Sequence, residues 1–250
     1  MQLGSKIQHL EGMACSLEIF ESPALGLVAK VLGTQEEVFL QKYPFLQSEF
    51  LAHVGGGVLP EIQHALVVGG FDLEVGYALL NQAKSVAFVQ EDQVILQALK
   101  PFLPHFEEVS THANFKQHAK MIDLEIQKYD LIIDLHTPNA HQIDGLQRML
   151  SPQGVLLLHA PHPLLDPLGF KSTLEHLHCY FSVLMPCTNP YDVRPLCYLF
   201  ASKHYHPEAD MCLQKITMLE GLKHYNDQVH TSAFCQPNWL KSAYLGLLKN

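Results

Sequence analysis

The chain has 250 residues, 48% of them hydrophobic and 16% charged, with a formal net charge of −9. That length buries a sizeable core in one large domain or two modest ones, and the composition excludes an intrinsically disordered chain. The acid excess argues against a nucleic-acid partner, which needs clustered Lys and Arg, and no apolar run approaches the ~20 residues that span a bilayer.

The amino-terminal MQLGSKIQHLEG lacks the apolar stretch of a signal peptide. Residues 16–43 read as strands and turns: SLEIF alternates, SPALG has turn residues, and GLVAKVL and EVFLQKY supply two further runs. From about residue 62 the rhythm changes to strand–helix alternation. HALVV (64–68) passes through Gly69-Gly70 into a helix, and SVAFVQ (85–90) leads to the helical DQVILQALK, ended by Pro101. A short VST strand (109–111) comes next, followed by YDLIID (129–134), the helix of DGLQRML, and GVLLLH (154–159). After a helical stretch around FKSTLEHLHCYF come SVLMPC (182–187) and PLCYLFASK (195–203). With no clear helix between them, these two are expected to pair as an antiparallel hairpin at one edge. The tail from about residue 213 reads as helical.

Near-continuous apolar strands alternating with helices imply an α/β fold with a mostly parallel sheet covered on both faces. Ligands of such sheets bind beyond the carboxyl ends of the strands. The residues expected there are Gly69 to Asp72, Gln90 to Asp92, His112 to Asn114, Asp134 and His159. That set is polar and acidic, and has no lysine or arginine with which to hold a pyrophosphate.

The glycine join itself is unusual. GGFDLEVG does not supply GxGxxG, since Phe71 and Leu73 crowd the positions where backbone must approach phosphate. Asp72 also puts a carboxylate where the phosphate would lie. Two readings of Asp72 stand open: a helix cap, or an acid that meets a cation carried on a nucleoside, as in adenosyl sulfonium compounds. The sixteen histidines include no HExxH, and their close pairs lack helical i, i+4 spacing, so no metal is expected. The six cysteines form no CxxC pair and are expected as free thiols in a cytoplasmic protein.

At this point the chain resembles a known family, the spermidine synthases, which are polyamine aminopropyltransferases. The likeness runs from about residue 14 to the end. GGFDLEVGYALL resembles the family's GGGDGG loop and following helix, and EFLAHV, with Glu49 and His53, resembles its YxEMxxH segment. Asp92 followed by VI and then FLP resembles its nucleoside-binding strand end, and YDLIIDLHTP its DxxDP catalytic strand. HYNDQVHTSAFCQP (224–237) is close to the family's YYN…H..AF.LP closing segment, and FESPALGLVAKVLG (20–33) tracks its N-terminal β-domain.

The resemblance implies a small N-terminal antiparallel β-domain (residues 1–60) and a Rossmann-like, methyltransferase-type catalytic domain (61–250). It implies transfer of an aminopropyl group from decarboxylated S-adenosylmethionine, a co-substrate, to putrescine, giving spermidine and methylthioadenosine. Such enzymes are cytoplasmic dimers or tetramers that need neither metal nor other cofactor.

Carried over by residue, Asp134 matches the proton-accepting aspartate and Asp72 the one that contacts the aminopropyl amine. Gly69 and Gly70 lie in the donor loop. Gln90 stands where the family has a ribose-binding Glu, with Glu91 next to it as a substitute. Asn114 falls near the Asp-Gly that meets adenine, and Cys15 at a nucleoside-contacting Gln. On the putrescine side, Thr137 replaces the second acid of DxxDP, and Gln47 and Ser48 replace the Tyr and its neighbour in YxE. His159 falls at a pocket Gln, and Tyr191 in NPYDVRP takes the pocket tyrosine's place. The segment after Asp134 is shorter than the family's gate loop. Two rivals remain: a methyltransferase of the same fold using ordinary S-adenosylmethionine, and a non-catalytic binder of nucleoside or polyamine.

Overall fold

Four short strands at the amino terminus form an antiparallel meander: β1 (Lys6–Glu11), β2 (Ser16–Ser22), β3 (Gly26–Val31) and β4 (Glu37–Leu40), paired in that order. The computed structural model describes residues 4–32, 37–71, 73–136 and 138–250. Strand β1 has no signature in the sequence, because only Leu10 of its six residues is buried and the other five face solvent. Its pairing with β2 is what makes it a strand.

A helix, α1 (Phe45–Gly56), leads into the larger unit of β5 (Ile62–Val68), α2 (Glu74–Leu80), β6 (Ala83–Val89), α3 (Gln93–Leu99), α4 (Phe106–Ser110) and β7 (Phe115–His118). It continues with β8 (Tyr129–Asp134), α5 (Ala140–Met149), β9 (Leu150–Ala160), α6 (Pro167–His178), β10 (Val183–Cys187) and β11 (Cys197–Ser202). Three short helices close the chain: α7 (Leu213–Thr217), α8 (Asp227–Ala233) and α9 (Asn238–Ala243). The seven strands run β10-β11-β9-β8-β5-β6-β7. The five from β9 to β7 are parallel, and β11 and β10 form the expected antiparallel hairpin at one edge.

Alternation along each strand divides the core in two. Ala65, Val67, Phe88, Leu131 and Ile133 join the side chains of α1 to α4, while Leu66, Ala87 and Ile132 join Ile143 of α5 and Phe170 of α6. Burial on both faces explains why these strands read as unbroken apolar runs. Removing a fully buried side chain such as Leu66 or Phe170 costs about 2–5 kcal/mol. At Gly55 a Cβ would meet Leu131 Cδ1 at 2.6 Å and Leu157 Cδ1 at 3.0 Å, so glycine lets α1 lie directly on β8 and β9.

Polar residues fix where the helices begin. Asp92, Asn139, Asp166 and Asn226 each accept a backbone N–H in the first turn of α3, α5, α6 and α8. One expected element is corrected. Residues 109–111 are not a strand: FEEVS forms α4, and the strand is FKQH at 115–118. VST has β-prone side chains, but Val109 packs into the core from a helix that starts after His105.

Candidate active site

The pairing register sets the site. Val68 lies opposite Val89 on one side and Asp134 on the other, so Gly69, Gln90 and Leu135 emerge together at one edge of the sheet. Main-chain bonds hold this edge closed, from Gly69 N to Val89 O (2.8 Å), from Leu135 N to Val68 O (2.9 Å) and from Gln90 N to His118 O (3.1 Å). Gly69 and Gly70 have φ of +72° and +71°, a region in which side chains are disfavoured. A Cβ on Gly69 would strike the His136 ring at 2.0 Å, and one on Gly70 would strike Leu135 Cδ1 at 2.4 Å.

A cleft of about 380 Å³ opens beyond these ends, lined by Cys15, Gly70, Gln90, Glu91, Met121 and His136 among others. That is a size suited to a small organic ligand. Of the expected donor-side residues, Cys15, Gly70, Gln90 and Glu91 are thus brought together, with Gly69 beside them. Gln90 is buried and its amide is engaged with main chain, as Nε2 donates to Gly70 O and Oε1 accepts from Asp92 N at 2.9 Å. Glu91 is exposed at the mouth, with its carboxylate open to the cleft.

Asn114 is not brought to the site. With the strand at 115–118, it is exposed at the amino end of β7, the opposite edge of the sheet. Met121, beyond the carboxyl end of β7, lines the cleft instead. Asp72 and Thr137 lie outside the described residues.

Cys15 reaches the cleft because Asp92 holds its loop. Asp92 is 1% exposed, and its Oδ2 accepts the N–H of Ala14 (2.9 Å) and Cys15 (3.4 Å) while Oδ1 caps α3 through Ile95 N (3.2 Å). Burial pushes its carboxyl up, but the converging N–H donors outweigh burial and leave it below the ordinary range. Gly12 has no room for a side chain, since a Cβ there would sit 2.1 Å from Asp92 Oδ2.

Asp134 ends β8 and is 3% exposed. Burial raises its pKa from 3.8 to about 7, against the lowering effect of the His136 N–H, which donates to Oδ1 at 2.9 Å. His136 Nδ1 lies 3.8 Å from the same oxygen. His159, one residue past the strand position opposite Asp134, is held near pKa 4 by burial and by its neighbour His136, so it is a neutral imidazole at pH 7. Its ring stands edge-on to Tyr198 at 5.6 Å.

The remaining acceptor-side expectations part company. Gln47 Nε2 donates to the Tyr198 hydroxyl (2.7 Å), and its Oε1 accepts from Arg194 Nη1 (3.0 Å). Arg194 in turn forms a buried two-pronged pair with Asp192 at 2.8 and 2.6 Å. A continuous run of contacts therefore links His159, Tyr198, Gln47 and Arg194. Ser48 bonds back to Pro44 O and lines a separate cavity with Glu74, Tyr77 and His105. Tyr191 is 73% exposed, edge-on to His224 at 6.4 Å, and lies on the surface.

His136, Met121 and the Asp92 clamp were missed from the sequence. His136 lay within sight, two residues past the strand-end acid. Met121 required the correct position of β7.

Comparison with known proteins gives a consistent result. A family model described as the spermine/spermidine synthase domain matches residues 44–202. The polyamine aminopropyltransferase of Helicobacter pylori (strain G27) is 37% identical over 237 residues, 94% of this chain and 88% of the relative. Its counterpart in Thermotoga petrophila is 26% identical over 252 residues, 93% of this chain and 84% of the relative. The crystal structure of spermidine synthase from Thermotoga maritima superposes with a TM-score of 0.86 at 23% identity, over 99% of this chain and 90% of that one, which establishes the fold.

Proposed function

The chain belongs to the spermine/spermidine synthase family, and from that premise we propose that it transfers the aminopropyl group of decarboxylated S-adenosylmethionine to putrescine. The observation that carries this reading is Asp134, a buried carboxyl at the carboxyl end of β8 with its pKa near 7. Putrescine is a diammonium at neutral pH, and an ammonium has no lone pair. One end must lose a proton before its nitrogen can attack, and a general acid–base group works best with a pKa near the working pH.

In the proposed reaction the amine lone pair attacks the methylene carbon bonded to the sulfonium. The carbon–sulfur bond breaks with its electron pair going to sulfur, giving neutral methylthioadenosine, and the displaced amine proton passes to Asp134. The sulfonium already activates that carbon, so the protein's work is alignment and proton removal. Gly69, Gly70, Glu91 and Cys15 hold the nucleoside side. Gln90 acts by bracing the Gly70 loop rather than by direct contact, since both ends of its amide are engaged. Asp72 serves the aminopropyl amine and Thr137 the putrescine side. His159, neutral and partly buried, accepts from the acceptor amine without repelling it.

This reading carries with it a cytoplasmic homodimer or homotetramer that needs no metal. Among the described residues no helix is long and apolar enough to cross a membrane. The test is incubation with decarboxylated S-adenosylmethionine and putrescine, with products identified by mass spectrometry. Spermidine with methylthioadenosine in equal amounts is expected. S-adenosylhomocysteine formed from ordinary S-adenosylmethionine would point to a methyltransferase, and no turnover with either donor to a binding protein.

A further inference from the structure

The chain crosses from β7 to β8 in ten residues, 119–128, with a single 3-10 turn at Met121–Asp123. On the same face α5 and α6 pack against the sheet, whereas here a short loop passes over β5, β6 and β7. The register places His64 opposite Ser85, Ala87 opposite Lys116 and Val89 opposite His118. Polar side chains therefore fall on the sheet face that elsewhere carries Leu66 and Ile132. They border a cavity of about 200 Å³, floored by Val86, Ala87 and Tyr129 and closed on one side by Glu125 and Gln127.

Tyr129 is the telling residue. It is 1% exposed, and among the described residues its hydroxyl has no hydrogen-bond partner. An unpaired buried hydroxyl costs free energy, so packing alone does not account for it. The hydroxyl lies within electrostatic reach of Lys116. Glu125 is the one carboxylate of the lining, and it faces Lys116 Nζ at 2.6 Å with His118 and His64 also within reach. That ion pair is more than half exposed on both sides, so a competing anion displaces it at little cost. His64 Nδ1 is fixed 2.8 Å from Ser85 Oγ.

We propose that this cavity, on the face of the sheet away from α1, is a second binding site, for a small compound carrying a phosphate group. Donors outnumber acceptors around it: the Lys116 ammonium, the Tyr129 hydroxyl and two imidazoles against one carboxylate that already has a partner. A tetrahedral oxyanion needs several donors converging from different directions, and these come from three strands. One carboxylate is too few for a hard divalent cation, which takes several oxygen ligands.

The experiment is titration of the full chain, labelled with ¹³C in its His and Tyr rings, with inorganic phosphate against sodium chloride at matched ionic strength. Saturable shifts are expected at His64, His118 and Tyr129. Lys116→Ala, an exposed substitution that leaves the fold intact, should weaken binding at least fivefold and leave methylthioadenosine affinity unchanged. Tyr129→Phe should weaken phosphate binding by a similar factor at an unchanged circular-dichroism spectrum. Phenyl phosphate run in parallel separates an organic phosphate, bound more tightly than the free ion, from the free ion itself. Shifts that never saturate, shifts confined to His136 and His159, or equal affinity in wild type and Lys116→Ala would each overturn the proposal.

Discussion

The Tyr225 hydroxyl lies 2.5 Å from His230 Nδ1, and both residues are buried. His230 Nε2 is 2.8 Å from the carbonyl of Pro207 and must donate to it. Burial lowers the imidazole's pKa, so the ring is neutral and Nδ1 is left as an acceptor. The tyrosine therefore donates to Nδ1, with the His53 carbonyl 2.9 Å away as its second acceptor. Tyr225→Phe leaves both acceptors buried without a donor. Such a loss costs about 1–3 kcal/mol. Thermal melts should show it as a Tm lower by several degrees, while kcat at 25 °C falls less than threefold.

The same contact explains why two segments far apart in the chain carry the family likeness together. Glu49 of EFLAHV accepts the backbone N–H groups of Lys223, His224 and Tyr225 at 2.8 to 3.1 Å, and His53 of the same helix supplies its carbonyl to Tyr225. These residues fasten the closing segment to α1 and do not reach the cleft. The motif that identifies the family most clearly is thus a structural clasp, and the chemistry lies elsewhere.

Asp92 is a positioning residue for the donor side. Asp92→Asn keeps the size and an acceptor oxygen, but loses the charge that strengthens three N–H bonds and turns one oxygen into a donor facing N–H groups. The 12–15 loop loosens, and Cys15 with it. The expected result is a KM for the aminopropyl donor raised about tenfold, with kcat within threefold of wild type and the putrescine KM unchanged. Equal changes in both KM values would indicate a general loss of structure.

On the acceptor side the structure separates two residues that sequence alone ranked together. Tyr191 is exposed, and Tyr191→Phe should leave the putrescine KM within about twofold. Gln47 touches Tyr198 and Arg194, and Gln47→Leu leaves a buried arginine and a buried tyrosine hydroxyl each short of a partner. Its putrescine kcat/KM should fall at least tenfold. Steady-state assays over a range of putrescine at saturating donor distinguish the two.

Most of the sheet was legible because its strands are buried on both faces, which leaves long apolar runs with glycine or acid at the ends. That is why Gly69, Gln90 and Asp134 were placed at one edge before any coordinates. β1 was illegible because its exposed residues have no pattern to read. Asn114 failed for a related reason. A five-residue helix and a four-residue strand carry too little periodicity to separate, and a shift of the strand from 109–111 to 115–118 moves Asn114 from one edge of the sheet to the other. Hydrogen bonds that join distant segments, such as Asp92 to Ala14 or Gln47 to Tyr198, leave no local trace at all.

Asp134 couples activity and stability to pH in opposite directions. Its ordinary pKa of 3.8 applies in the unfolded chain, and burial raises it to about 7 in the fold. Below pH 4 the carboxyl is neutral in both states and costs the fold nothing. Between pH 4 and 7 the unfolded chain ionises while the folded one holds its proton, so native stability falls steadily. Above pH 7 the loss is complete and constant. Turnover needs the ionised form and should rise across the same upper range, with a kcat/KM midpoint near 7. Asp134→Asn removes the ionisation and keeps an acceptor for the His136 N–H. Turnover should drop by about 10²-fold or more. Its Tm should equal that of wild type at pH 4, pull ahead by several degrees as the pH rises to 7, and keep a constant lead above that. A variant whose Tm lead is the same at pH 4 and pH 8 would show that the gain comes from packing and that Asp134 is ionised in the fold throughout.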